Sequence, residues 1–327
     1  MKYFILAVCT LLGALILSTL VGGTGNLWSF RGDIAGRPLW SLIFFDVRLP
    51  RVLVAALVGG ALGAAGAALQ GLFRNPLADP SVLGISSSAA LFAQVTIFTG
   101  WAVLWPLALP LAATLGAIVA TFVLLRLVRG AQSGTLELLI LGGVALGQVA
   151  VALSALMMSL ALRDFTTAQR LLSWMLGSLD GRTWMHVFWG AGPLALGVSW
   201  LIYRARDLDG LTMGDATAHS LGVDVIKIRR EVVVASAVLS GVAVAMGGII
   251  SFIGLIVPHI TRRFLGASHG KLILGSTIMG ALVVVLADLV ARLAIAPGEI
   301  RIGVITGALG APWFALLLRN HFVEKQV

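Results

Sequence analysis

The sequence predicts an all-α polytopic membrane protein of about ten transmembrane helices. Three observations carry that prediction. Of 327 residues, 59% are hydrophobic and only 11% charged, whereas a soluble globular chain carries about 25% charged residues. Mean hydropathy is +1.01. Apolar runs of nearly spanning length recur along the chain, separated by short polar segments that hold most of the arginines. A crossing helix needs about 20 such residues. Lipid offers the backbone no hydrogen bonds, so the crossing elements must be helices. The net charge of +9 is no nucleic-acid footprint, because its Arg and Lys residues cluster at the ends of apolar runs, where membrane topology puts them. The single cysteine, Cys9, excludes an intrachain disulfide and a thiolate zinc site.

The first run, 4–21, follows Lys2. It is longer than the roughly 7–15 residues of a signal-peptide core and no A-x-A pattern follows, so it reads as a retained first helix. The second, 52–71, contains "GGALGAAGAALQG", with Gly59, Gly63, Ala67 and Gly71 spaced by four. That ridge lets helices approach closely, as ordinary bundle packing more readily than as a special dimer motif. In "LQGLFRNPLADPSVLGISSS" (69–88), Pro76 and Pro80 stop the second run and aim the third, and Arg74 marks the inner face. Further runs follow at 83–99, 104–127, 136–160 and 184–203. The stretch 231–247 and 248–261 is continuous, either two spans or one long helix and a re-entrant piece, the latter acceptable only where protein buries it. The last runs are 272–292 and 303–318.

Alternating from Lys2 inside places 14 basic residues inside and 9 outside, the direction the positive-inside rule demands, with both termini on the cytoplasmic side. Nine outer arginines are many. Either the topology is inverted or they have a task. A faint echo aligns 60–76 with 241–258. In the ten-span scheme these are spans two and seven, which cross in opposite directions, as in the inverted repeats of many transporters.

An energy source is hard to find in the chain. Asp288, in "LVVVLADLVARLA", is the clear ionisable group at depth. Its partner four residues on, Arg292, suggests a structural ion pair; the competing reading is a proton carrier for an ion-coupled secondary transporter. "GASHGK" (266–271) is one residue short of a P-loop and has Leu272 where Ser or Thr would hold magnesium. The five histidines are scattered and form no hydrolytic motif. A chain that pumps without its own motor needs a partner, and the largest inner loop, 203–230, is the place to look. Its middle, Met213 to Leu221, can form a short helix with Thr212 as N-cap and Gly222 at C′, either a docking element or a solvated connector.

Four blocks stand out: "RLPRVLVAALVGGALGAAGAALQGLFRNPLADPSVLGISSSAAL" (48–91), "LLILGGVALGQ" (138–148), "GDATAHSLGV" (214–223) and "GIISFIGLIVPHITRRFLG" (248–266), the last continuing into "LADLVARL" and "IRIGVITGALGAPWFALLL" (300–318). Together they resemble one family, the FecCD-type permeases of ABC importers, which carry iron–siderophore complexes, haem and cobalamin.

The resemblance implies a type II ABC importer permease fold, an inverted repeat of five plus five spans in one permease domain covering 1–327, with 203–230 as its cytoplasmic coupling loop. It implies a homodimer in the bacterial cytoplasmic (inner) membrane, surrounded by lipid, with two ATPase subunits below and a substrate-binding protein above. It implies no catalytic residue or metal site and no cofactor on this chain, since ATP and magnesium belong to the ATPase. Arg48, Arg51 and Arg292 match outward arginines that meet acidic residues of the binding protein, which would give the outer arginines their task. Ser86, Ser87, Ser88, Ser133 and Thr135 match an inner gate. Met213, Gly214, Asp215, Ala218, His219, Ser220, Leu221 and Gly222 match the ATPase contact.

Overall fold

A computed structural model describes residues 2–324, apart from 24, 28–29, 31, 35–36, 82, 106 and 128–134. Helix α1 (Lys2–Leu20) leads into two minimal hairpins, β1 (Val21–Gly22) with β2 (Gly25–Asn26) and β3 (Asp33–Ile34) with β4 (Arg37–Pro38). A continuous helical stretch follows: α2 (Leu39–Leu42), a π-helical segment Ile43–Arg48, and α3 (Leu49–Leu72). Next come α4 (Ile85–Phe98), α5 (Trp101–Leu104), α6 (Ala108–Leu127), α7 (Thr135–Ala161), α8 (Phe165–Met175) and α9 (Trp184–Tyr203). The loop after α9 holds α10 (Ala205–Thr212) and α11 (Asp215–Ser220), and α12 (Val225–Gly247), α13 (Ile253–Leu265), α14 (His269–Leu293) and α15 (Ile302–Glu324) complete the chain.

Every apolar run expected to span is helical. Among the described residues, seven helices are long and apolar enough by themselves to cross a membrane. Helices α4 and α13 are shorter, with 14 and 13 residues, about 20 Å of rise against a hydrocarbon core of about 30 Å. Helix α15 has 23 residues, and among the described residues its apolar stretch is Ile302–Leu316. The ambiguous stretch 231–261 resolves into two helices, α12 beginning at Val225 and α13 at Ile253. The intervening backbone, 248–252, is buried or half-buried, which is the condition lipid imposes on unpaired peptide groups.

Side-chain contacts fix the helix directions. The start of α3 meets the end of α14 through Arg51 and Asp288, and the end of α3 meets the start of α14 where Gly71 packs on His269. Val58, in the first half of α3, packs on Gly247 at the end of α12, while Arg74 and Arg229 share Asp215 at the opposite end. So α3 runs antiparallel to both α14 and α12. The echo between 60–76 and 241–258 survives as an inverted relation of elements. Each long buried helix is followed by a break and then a short helix whose N-cap is left-handed, Gly84 (φ 67°) before α4 and Phe252 (φ 69°) before α13. The residue register is not kept, since α3 continues to Leu72 beyond Gly66 while α12 stops at Gly247.

The glycine ridge of α3 works inside the subunit. A Cβ on Gly59 would lie 2.1 Å from the Gly280 carbonyl oxygen, and one on Gly63 would lie 2.1 Å from that of Ser276. Backbone therefore meets backbone where α3 crosses α14. Gly66 approaches Gly254 at the start of α13 in the same way. Gly63→Ala should lower stability by about 1–3 kcal/mol through overpacking, seen as a lower unfolding temperature in detergent. Gly13→Ala, with open space around it, should leave that temperature unchanged.

Candidate functional site

The bundle has two chemically different ends. At the loop end, α10 and α11 lie under the spans. The short helix expected over Met213–Leu221 is present as α11, but Thr212 is not its N-cap, and a further helix, α10, precedes it. Thr212 closes α10, where its Oγ1 donates to the Asp209 carbonyl (2.7 Å), and Gly214 (φ 113°) precedes α11. A threonine followed by a residue that needs left-handed backbone ends a helix more easily than it starts one. Gly222 stands at C′ as expected. With φ 82° it donates to the His219 carbonyl (2.9 Å), and Val223 donates to that of Ala218 (3.0 Å), a Schellman closure.

Asp215, the first residue of α11, bridges two arginines. Arg74 donates to Oδ1, and Arg229 Nη2 donates to Oδ2 at 2.5 Å. Arg74 belongs to the turn between α3 and α4, and Arg229 to α12. On α10, Asp209 Oδ1 accepts from the His269 backbone N–H (2.9 Å) and lies 2.6 Å from its Nδ1. Thus both loop helices are tied to spans through single carboxylates. Between these ties, Met213 (70% exposed) and Leu221 (64%) face outward, with Gly214 half-buried and His219, Ser220 and Gly222 exposed, while Ala218 is buried.

The turn from Phe73 to Gly84 is built by two side chains. Asn75 Oδ1 accepts from Leu77 N–H and Asp79 Oδ1 from Ser81 N–H, each at 2.9 Å. Burial pushes the Asp79 carboxyl above its ordinary range, and the hydrogen bonds from Ser81 pull the other way. The turn delivers Ser86, Ser87 and Ser88 to the start of α4. Ser86 and Ser87 are half-buried and Ser88 is buried. There Gly84 packs against Gly143 and Gly147 of α7. Thr135 opens α7, its side chain outside the described residues, as is the whole of Ser133.

At the arginine end, the three residues matched to docking are buried. Arg48 (4% exposed) donates from Nη1 to the Leu20 carbonyl (2.8 Å) and from Nη2 to that of Gly25 (2.6 Å), closing the C-terminus of α1. Arg51 donates from Nε and Nη2 to Asp288 Oδ1 (3.0 and 2.9 Å) and bidentately to Glu299 (both 2.9 Å). Arg292 Nε lies 3.0 Å from Asp288 Oδ2, and its Nη2 donates to the Ser18 carbonyl (3.0 Å). These guanidinium groups are engaged within the subunit. The reason is invisible in sequence: Asp288, Glu299 and the last turn of α1 converge on them only in the folded bundle. Asp288, 1% exposed, is held between two arginines, the structural ion pair expected of it and poor placement for an exchanging proton carrier. Among the described residues no three His, Cys, Asp or Glu side chains gather as metal ligands.

Residues 5–320 match the family model described as the FecCD transport family. The chain is 42% identical over 302 residues to the uncharacterized ABC transporter permease protein YvrB of Bacillus subtilis, covering 89% of this chain and 83% of that one. It is 37% identical to the vitamin B12 import system permease protein BtuC of Vibrio cholerae (91% and 88% covered) and 39% identical to BtuC of an Escherichia coli strain (93% and 91%). A solved structure described as an inward-facing conformation of a metal-chelate type ABC transporter superposes with a TM-score of 0.86 at 29% identity, covering 98% of this chain and 99% of that one. By this match along nearly its whole length, the chain belongs to the FecCD transport family.

Proposed function

We propose that the chain is the permease subunit of a type II ABC importer and that its cargo is a chelated metal: an iron–siderophore complex, haem or cobalamin. It works as a homodimer in the cytoplasmic membrane of a bacterium, with the loop end and both termini facing the cytoplasm. Two ATPase subunits dock beneath, supplying ATP and magnesium, and a soluble binding protein delivers cargo to the arginine end. Arg48, Arg51 and Arg292 shape that docking face from beneath, by holding α1, α3 and α14 together at the rim.

One observation carries the reading. Asp215 joins the loop helix α11 both to the turn ahead of the α4 serines and to α12. A partner gripping Met213 and Leu221 would therefore move two core elements at once. Ser86, Ser87 and Ser88, together with Ser133 and Thr135, form the inner gate in this scheme, because small hydroxyl side chains let helices close tightly without retaining a large solute. Cargo passage is a shift between outward- and inward-open arrangements, biased by nucleotide on the partner.

Asp215→Asn separates coupling from folding. Its carboxylate is half exposed, so stability should change by less than about 1 kcal/mol. Cargo uptake by the reconstituted transporter should fall about tenfold while ATP hydrolysis persists. Equal loss of both activities would count against the assignment. Asp288→Asn separates the importer from ion coupling. Leaving Arg51 and Arg292 without their shared carboxylate should cost about 3–5 kcal/mol of stability, read as a lowered unfolding temperature. A fully stable Asn variant that loses uptake, or proton-driven uptake by vesicles holding this chain alone, would make Asp288 the carrier.

A further inference from the structure

Among the described residues, a second pair of arginines at the arginine end forms no ion pair. The loop 176–183 is held by two elements: Ser178 N–H donates to the Gly247 carbonyl of α12 (3.0 Å), and in α15 Ile302 N–H donates to the carbonyl of Gly177 (3.2 Å) and Gly303 N–H to that of Leu176 (3.0 Å). Two guanidinium groups converge on Ser178. Arg182 Nη2 donates to its carbonyl oxygen (3.2 Å), and Arg301 Nη1 donates to its Oγ (3.1 Å). Arg301 Nη2 donates to Ser173 Oγ on α8 (3.0 Å). Both arginines are half-buried. Among the described residues, no Asp or Glu lies within ion-pairing distance of either; Asp288 and Glu299 are taken by Arg51.

The pair is short of acceptors as well as of charge. Arg182 Nε is buried with no hydrogen-bond partner. Its Nη1 faces His186 Nε2 at 3.3 Å, which offers at most one lone pair and no charge. Burial pulls the Arg182 guanidinium down to about 10, against the opposing pull of Asp180. A half-buried cation so placed gains from any oxyanion that reaches it. The loop also rests on the break between α12 and α13: a Cβ on Gly248 would lie 2.4 Å from the Trp174 carbonyl oxygen.

We propose that Arg182 and Arg301 form an oxyanion subsite at the arginine end, taking a carboxylate or phosphate group of the cargo as it leaves the binding protein. The Ser173 and Ser178 hydroxyls hold Arg301 and the Ser178 carbonyl holds Arg182; these neutral contacts leave both charges in place, so the anion can be released again. The proposal rests on the importer reading for the identity of the ligand, while the subsite itself is tested without it.

The test uses the purified full-length chain in detergent at low ionic strength, with citrate and inorganic phosphate as probes. Citrate should raise the unfolding temperature of the wild type. The concentration required should rise about tenfold or more in the R182Q/R301Q pair and stay near the wild-type value in R182K/R301K and in R37Q, which alters an exposed arginine paired with Asp46. Should the Gln pair not fold, R301Q alone carries the comparison, because its serine contacts are neutral. A wild type indifferent to both probes, or a Gln variant that responds like the wild type, overturns the subsite. A response to a poly-glutamate peptide but to neither small anion assigns the arginines to a docking protein and overturns the cargo assignment. ATP-independent uptake would sink the importer reading and leave the citrate measurement standing.

Discussion

The structure depends on the backbone-to-backbone crossing of α3 and α14. In lipid no hydrophobic force draws helices together, so association rests on dispersion contacts and on whatever polar pairs close packing permits. Gly59, Gly63 and Gly280 remove the side chains that would hold the two axes apart. The close approach brings Arg51 to Asp288 at one end and Gly71 to His269 at the other. Without that approach the Asp288 carboxylate at depth would keep only Arg292 of its own helix as a partner and lose Arg51. Packing and charge pairing are therefore one constraint here.

The two ends of the bundle spend charge differently. At the arginine end, Arg48, Arg51 and Arg292 are buried, and they tie α1, α3 and α14 into a rigid rim. At the loop end, Asp215 makes half-exposed links between the loop helix and the core. Buried pairs resist separation, whereas exposed pairs break and re-form at little cost. That difference suits the proposed importer, held firmly at the end assigned to cargo entry and pushed at the end assigned to the ATPase. The breaks before α4 and α13 give the push somewhere to act, since short helices entered through left-handed residues can pivot without unwinding a full span.

Much of the fold was legible in the residues. The ten apolar runs all became helices, because each run's tendency to leave water is local. Pro76 and Pro80 marked the turn after α3 for an equally local reason. Gly222 was recognisable as a helix stop. Thr212 misled, because whether a threonine caps the helix ahead or closes the one behind depends on backbone at Met213 and Gly214 that no side-chain pattern dictates. The pairing of Asp288 with Arg292 was visible at four-residue spacing, but its partner Arg51, 237 positions away, was not.

By itself, then, the sequence determined the solvent, the helical class and the positions of the apolar helices, and the family, since these follow from composition and from neighbours along the chain. Tertiary structure alone decided that the rim arginines are buried, that Asp215 links two separate elements, and that Arg182 and Arg301 meet at Ser178 with no ion pair among the described residues. Each of these is a contact between segments far apart in sequence, and a charge's role is set by what lies within a few ångströms of it, which only the packed bundle specifies.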